Sequence, residues 1–185
     1  RASSAPRTAD PLTPRMAIAG LGGLAKKMKV KEIAPLLEQA KDESSALAKT
    51  IAAKGSKEPS GAVPFALKGM AGSVRCIAEY RRKGNLGVVW EVDPPVMMSV
   101  LFRQSGAHAV AALLDVATGG CDIEDVKQIV KEQENARGNF PGPLPMIVHD
   151  LVVDEVQLAQ AASVGAEGIV LSVNVLGEKL DEMAA

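Results

Sequence analysis

The sequence predicts an α/β fold, a parallel sheet built from repeated strand–helix units. Three observations lead there. Four short apolar runs, 74–80, 107–114, 146–153 and 168–173, each precede a stretch of helical character. The runs are near-continuously apolar rather than alternating, as strands covered on both faces tend to be. Regular βα repetition implies parallel pairing with right-handed crossovers. An open doubly wound sheet and a part of a βα barrel both satisfy this pattern.

The elements come in order. Residues 1–30 read as an extended basic arm, because Pro6, Pro11 and Pro14 oppose helix and Gly20, Gly22 and Gly23 loosen the rest of the segment. From Lys31 to Lys54 the apolar residues Ile33, Leu36, Leu37, Ala40, Leu47 and Ile51 recur at helical spacing. Ser56–Pro64 is rich in Pro, Gly and Ser and reads as a loop, and Phe65–Met70 as a short helix. Val74–Tyr80 is the first strand. Pro94–Ser105 is a helix with its prolines near the first turn. Ala107–Leu114 is the second strand. Asp122–Arg137 is an amphipathic helix whose acidic start suits its N-terminal end. After the Phe140–Pro145 loop, Met146–Val153 is the third strand. Asp154–Val164 is a helix that Asp154 caps, Gly168–Val173 the fourth strand, and Val175–Met183 a further helix.

Glycine placement separates the two architectures. A dinucleotide-binding first turn carries G-x-G-x-x-G after the first strand. The chain instead has Arg81-Arg82-Lys83-Gly84-Asn85-Leu86-Gly87 there, which favours the barrel. Gly119-Gly120 opens a helix and could present N–H groups to an anion, but a turn is the commoner use of such a pair.

Composition excludes several functions. The chain has 185 residues, 47% hydrophobic and 23% charged, with 21 basic and 22 acidic residues and a formal net charge of −1. No global field favours nucleic acid. At 3%, aromatics are too few for base-stacking platforms. No apolar stretch reaches the roughly 18 residues of a membrane span. Cys76 and Cys121 share no metal-ligand spacing and read as reduced structural thiols. No cofactor or metal site is expected. Residues 1–31 carry seven basic residues, Arg1, Arg7, Arg15, Lys26, Lys27, Lys29 and Lys31, against the acid Asp10. With their Ser, Ala and Thr content they read as the stretch after a cleaved transit peptide, plastid ahead of mitochondrion. The expected organisation is an arm over 1–30 and a partial barrel over 31–185.

From Glu79 onward the local order becomes specific. Ile77-Ala78-Glu79-Tyr80-Arg81-Arg82, the preceding Phe65-Ala66-Leu67, Gly119-Gly120 with Glu124-Asp125-Val126, Pro145-Met146-Ile147-Val148-His149-Asp150-Leu151-Val152 with Asp154 and Gln157, and Gly165-Ala166-Glu167-Gly168-Ile169-Val170-Leu171 come in this order. Together they resemble the first half of the indole-3-glycerol-phosphate synthases, from about residue 60 to the end. The resemblance implies a TIM (β/α)8 barrel of that type, with about four βα units present and extra N-terminal helices. That family closes an indole ring, with loss of carbon dioxide and water, from a carboxyphenylamino-deoxyribulose phosphate.

By family position the resemblance puts the chemistry on Glu79, Arg81 and His149. Glu79 matches the first-strand glutamate. Arg81 stands for a lysine; it can grip a carboxylate or phosphate but does not give up a proton near neutrality. His149 stands for the third-strand lysine that serves the family as general acid. Histidine can act as an acid near neutral pH, but it is shorter and stiffer; the alternative is a packed, hydrogen-bonded core histidine. Leu151 replaces a phenylalanine facing the substrate ring. Val116-Ala117-Thr118 replaces an aromatic pair, and Lys83-Gly84-Asn85-Leu86 replaces a Ser-Pro-Ser turn. The resemblance covers the first four strands; in that family further acids and the phosphate turns come from the later ones. Four strands alone leave two open edges, so the remaining strands, a second copy or a partner is expected to cover them. The leading expectation is therefore a catalytically degenerate relative, a binding or structural subunit of an organellar assembly. Its expected partners are proteins covering the open half-barrel or strapped by residues 1–30, together with a phosphorylated small molecule. The alternative is an active lyase of tryptophan synthesis using His149 as acid. Another phosphosugar barrel enzyme is a third reading, because function on this fold varies by site.

Overall fold

The computed structural model describes residues 13–53, 60–84, 94–115 and 118–184, with the side chains of the first helix described from residue 23 onward. Four parallel strands, β1 (Ile77–Tyr80), β2 (Ala109–Leu113), β3 (Met146–His149) and β4 (Gly168–Val170), pair in the order β1-β2-β3-β4. Three crossover helices join them: α5 (Pro95–Gln104), α6 (Ile123–Asn135) and α7 (Glu155–Ser163). Consecutive strands lying side by side with helical crossovers is the arrangement of a partial (β/α)8 barrel.

Side-chain alternation divides the sheet into two faces. Tyr80, Val110, Ala112, Met146 and Val148 face outward and pack with Val126, Ile129 and Ala161 of the crossover helices. Ala109, Ala111 and Ile147 face inward and meet Val63 and Leu67 of the short helix α4 (Ala62–Leu67). A Cβ on Gly168, the first residue of β4, would lie 3.2 Å from Val63. Thus α4 fills the inner face where the strands begin and leaves their C-terminal ends as the mouth.

The crossover helices start where local chemistry says they should. Asp122 caps α6 by accepting the N–H groups of Glu124 and Asp125, and Asp125 returns the bond to the Asp122 N–H. Asp154 and Gln157 form the same reciprocal box at α7. Each box satisfies N–H groups that a helix start leaves without partners.

The structure departs from the sequence reading in five places. The short helix expected over Phe65–Met70 after a Ser56–Pro64 loop is α4, Ala62–Leu67. It is started earlier by the turn at Gly61 and the Ser60 hydroxyl that accepts the Ala62 N–H, with Pro64 in its first turn where no N–H is needed. The arm expected to be extended over 1–30 is helical from Thr13: α1 spans Thr13–Glu32. Pro14 falls in its first turn, where the absent N–H is not needed. Tertiary anchoring through Lys26 and Lys29 overrides the glycine content. Residues 1–12 of that arm lie outside the described residues. The helix expected over Lys31–Lys54 is two, α2 (Ala34–Lys41) and α3 (Ala46–Ala52). Asp42 breaks it by accepting the N–H and hydroxyl of Ser44, and Ser45 caps the restart. All four strands are shorter than their apolar runs; β3 stops at His149, where the Asp150 carboxylate takes the Leu151 N–H. The last helix begins at Val173, as α8 (Val173–Leu176), a 3-10 turn over Gly177–Lys179, and α9 (Leu180–Ala184). Helices α2 and α3 pack on α7 through Ile33, Leu47, Val153, Val156 and Ala159, so they belong to the barrel wall.

Both cysteines are free thiols, but only Cys121 is buried; Cys76 is exposed. Burial pushes the Cys121 thiol up to about 11. Among the described residues no helix is long and apolar enough to cross a membrane.

Candidate functional site

The sheet register brings the three expected residues together. Glu79 pairs with Ala111, and Ala111 with Ile147; His149 is two residues further along β3 and shares their inward face. His149 Nδ1 lies 2.7 Å from Glu79 Oε2, and the Arg81 guanidinium donates to Glu79 Oε1. Glu79 therefore bridges the Arg81 guanidinium and the His149 ring at the ends of β1 and β3. The histidine and arginine side chains are about 40% exposed, at 41% and 39%, whereas Glu79 is 21% exposed. The mouth presents the Arg81 guanidinium and the His149 ring to solvent and keeps its carboxylate behind them.

Burial pushes the Glu79 carboxyl up. The hydrogen bonds from His149 and Arg81, and their charge, outweigh that and hold it below the usual carboxylate range. A depressed carboxyl contributes stability above its unfolded pKa of about 4.3, and that contribution is lost as pH falls through the lower folded value. Acid titration of stability should therefore lose part of its slope below about pH 4.3 in Glu79→Gln; identical acid limbs in urea denaturation would contradict the pairing.

The surrounding turns are built to hold this end of the sheet. Arg82 turns away from the mouth and grips Asp125 with two bonds, Nε at 2.9 Å and a terminal nitrogen at 2.6 Å, with its guanidinium 5.8 Å above the Tyr80 ring. The Asp125 pairing outweighs desolvation and raises the Arg82 pKa. Gly119 accepts the N–H groups of Arg82 and Lys83 at 2.7 and 3.0 Å. A Cβ there would sit 2.1 Å from the Leu113 carbonyl oxygen, so only glycine fits. Gly119-Gly120 is thus a packed turn between the exits of β1 and β2. Leu151, expected against a substrate ring, comes just after β3 and is half-buried. Val116, Ala117, Asn85 and Leu86, at the positions of the family's aromatic pair and Ser-Pro-Ser turn, lie outside the described residues.

Sequence reasoning missed the centre behind the mouth. Lys29 of α1, 3% exposed, places its ammonium 2.6 Å from Asp150, 2.7 Å from Glu32 and 3.8 Å from Asp115. Asp150 directly follows His149, and Asp115 opens the turn after β2. In sequence, Lys29 is one basic residue among several near the N-terminus, and nothing local marks it. Among the described residues no group of three or more His, Cys, Asp and Glu is arranged to hold a metal ion.

Comparison with known proteins agrees with this architecture. The chain is 30% identical over 151 residues to an indole-3-glycerol phosphate synthase of Opitutus terrae, a match covering 81% of the chain and 53% of that protein. It is 25% identical over 154 residues to the enzyme of Chlorobium phaeovibrioides, covering 80% and 56%. To that of Leptospira interrogans it is 30% identical over 101 residues, covering 54% and 36%. No protein-family model matches the chain. The matches span between 36% and 56% of the length of these curated relatives. With four parallel βα units in sequential order and these matches, the chain is similar to the indole-3-glycerol phosphate synthases, and its sheet is consistent with a partial barrel of that type.

Proposed function

We propose that this chain is a catalytically degenerate relative of the indole-3-glycerol phosphate synthases, whose barrel mouth binds rather than turns over. One observation carries the reading. Both Glu79 oxygens are engaged, one by Arg81 and one by His149, where the family sets lysines. The arginine cannot deliver a proton near neutral pH. The histidine directs its Nδ1 at Glu79 rather than into the mouth. The Arg81 guanidinium, 39% exposed, is suited to a phosphate or carboxylate.

The sheet supports the subunit role. Among the described strands β1 and β4 each pair on one side only, and Ile77 and Val170 on them are 48% and 40% exposed. Remaining barrel strands, a second copy or a partner protein would cover these edges. The basic, acid-poor N-terminal composition supports import into an organelle, a plastid stroma before a mitochondrion.

A second reading is favoured by the exposure of His149. With Nδ1 on a carboxylate its Nε2 is oriented as in a catalytic histidine, so an active lyase using His149 as acid and Glu79 and Arg81 in support is the alternative. Indole formation from the carboxyphenylamino-deoxyribulose phosphate, followed by fluorescence on full-length protein beside an active relative, separates the two. We expect no turnover above background. Turnover that His149→Ala abolishes would overturn the proposal and establish an enzyme with a substituted acid.

A further inference from the structure

We infer that Lys29 is a positioning residue for the barrel mouth: its ammonium, carried in by α1, ties the turns leaving β2 and β3 to one point and holds His149 in register with Glu79. The inference rests on reading Glu79, Arg81 and His149 as the binding centre.

An ammonium taken almost wholly out of water must be paired closely. Lys29 meets three carboxylates, and two of them, Asp150 and Asp115, lead toward the centre. Asp150 Oδ1 takes Lys29 at 2.6 Å and the Leu151 N–H at 2.7 Å, while its Oδ2 takes the Gln157 amide at 2.7 Å. The residue after His149 is therefore held from two directions. Gln157 also donates to the Leu151 carbonyl and accepts from Val153 and Asp154, so the whole β3–α7 turn closes on this pair. Asp115 faces Lys29 with Oδ1 and holds Thr118 with Oδ2 through its N–H and hydroxyl. The same turn presents the Gly119 carbonyl to Arg82 and Lys83, the residues after Arg81. Glu32, one turn along α1, completes the pairing. One cation thus braces the exits of β1, β2 and β3 from behind the mouth. Burial pushes the Lys29 ammonium down, but the bonds and charges of Asp150 and Glu32 outweigh that and raise its pKa, so it stays charged at neutral pH. The basic segment expected to strap a partner has at least this residue committed inside its own barrel.

Two histidines make the test specific, since the chain has only His108 and His149. An ionised Glu79 can only accept, so His149 carries its proton on Nδ1. His108 accepts the Cys76 N–H at Nδ1, 3.2 Å away, so its proton is on Nε2. The two rings are therefore opposite tautomers, which long-range ¹H–¹⁵N spectra of the full chain distinguish at alkaline pH, where free histidine is neutral. In Lys29→Met the Nδ1–H population of His149 should fall about twofold or more as its tautomers re-equilibrate, while His108 keeps its pattern. Lys29→Arg, which retains the charge, should keep more of the wild-type His149 signature than Lys29→Met. A folded Lys29→Met protein with an unchanged His149 tautomer overturns the inference, and so does a change shared equally by both rings. If Lys29→Met does not fold, Asp150→Asn replaces it: loss confined to His149 supports the bracing role, and no change overturns it. The readout does not depend on turnover, so an active lyase would leave it intact. A wild-type His149 without the Nδ1–H signature would instead overturn the Glu79 pairing beneath both readings.

Discussion

Glu132→Ala should destabilise the fold by about 3–5 kcal/mol, the usual loss when one partner of a buried ion pair is removed. Glu132 and Arg103 are 10% and 11% exposed and join α6 to α5 by a direct ion pair. Ser99 donates to the second Glu132 oxygen at 2.6 Å, Gln133 donates to both Ser99 and Glu132, and the Gln133 oxygen takes the Leu144 N–H at 2.7 Å. Truncation leaves the guanidinium charge between two helices, with the Pro141 carbonyl accepting from it at 3.0 Å but no carboxylate to balance it. Its Nε already lacks a hydrogen-bond partner among the described residues. For a chain of this size the loss corresponds to a fall in Tm of about 10 °C. Glu132→Gln keeps the hydrogen-bonding shape without the charge and should lose less. Thermal and urea unfolding of the two variants would check this, and a loss under about 1 kcal/mol in Glu132→Ala would mean that water reaches and solvates Arg103.

Gly119→Ala should cost about 3 kcal/mol, the upper part of the range for overpacking. The new Cβ would lie 2.1 Å from a backbone oxygen and 2.4 and 2.6 Å from the Leu113 Cγ and Cβ. A carbonyl in a central strand cannot rotate aside as a flexible side chain could. The turn must move instead, and with it the acceptor for the Arg82 and Lys83 N–H groups. The effect should therefore reach the mouth: hydrogen exchange at Arg82 and Lys83 should accelerate along with the loss of stability. Gly72, with φ +82 but nothing within 4 Å of its would-be Cβ, provides the comparison, because strain without a clash should cost less. A Gly119→Ala protein as stable as wild type, with protected Arg82 and Lys83, would show that this turn tolerates a side chain.

The legible parts of the fold are those with local causes. Asp122 and Asp154 mark the starts of α6 and α7 because a cap is made within three residues of its own helix. The four apolar runs mark the strands because burial on both faces leaves a compositional trace. The runs overstate the strand lengths, since apolar residues continue past the last ladder bond into packed turns; Val152 and Val153 are buried beyond β3. The break at Asp42 is hidden in the sequence because an Asp–Ser turn and a helical stripe coexist in the same residues.

For the site, a resemblance in residue order is enough to nominate Glu79, Arg81 and His149. Alternation along a strand also places Glu79 and Arg81 on one side. That Glu79 and His149 touch, 70 residues apart in the chain, depends on strand register. The inward turn of Lys29 and the helix that carries it depend on where α1 meets the exits of β2 and β3. Lysines of identical local surroundings can be solvated or buried, and only their distant carboxylates decide between the two. Periodicity and capping are properties of neighbours in sequence and can be read there; ion pairing across the barrel mouth is a property of neighbours in space, and folding alone creates it.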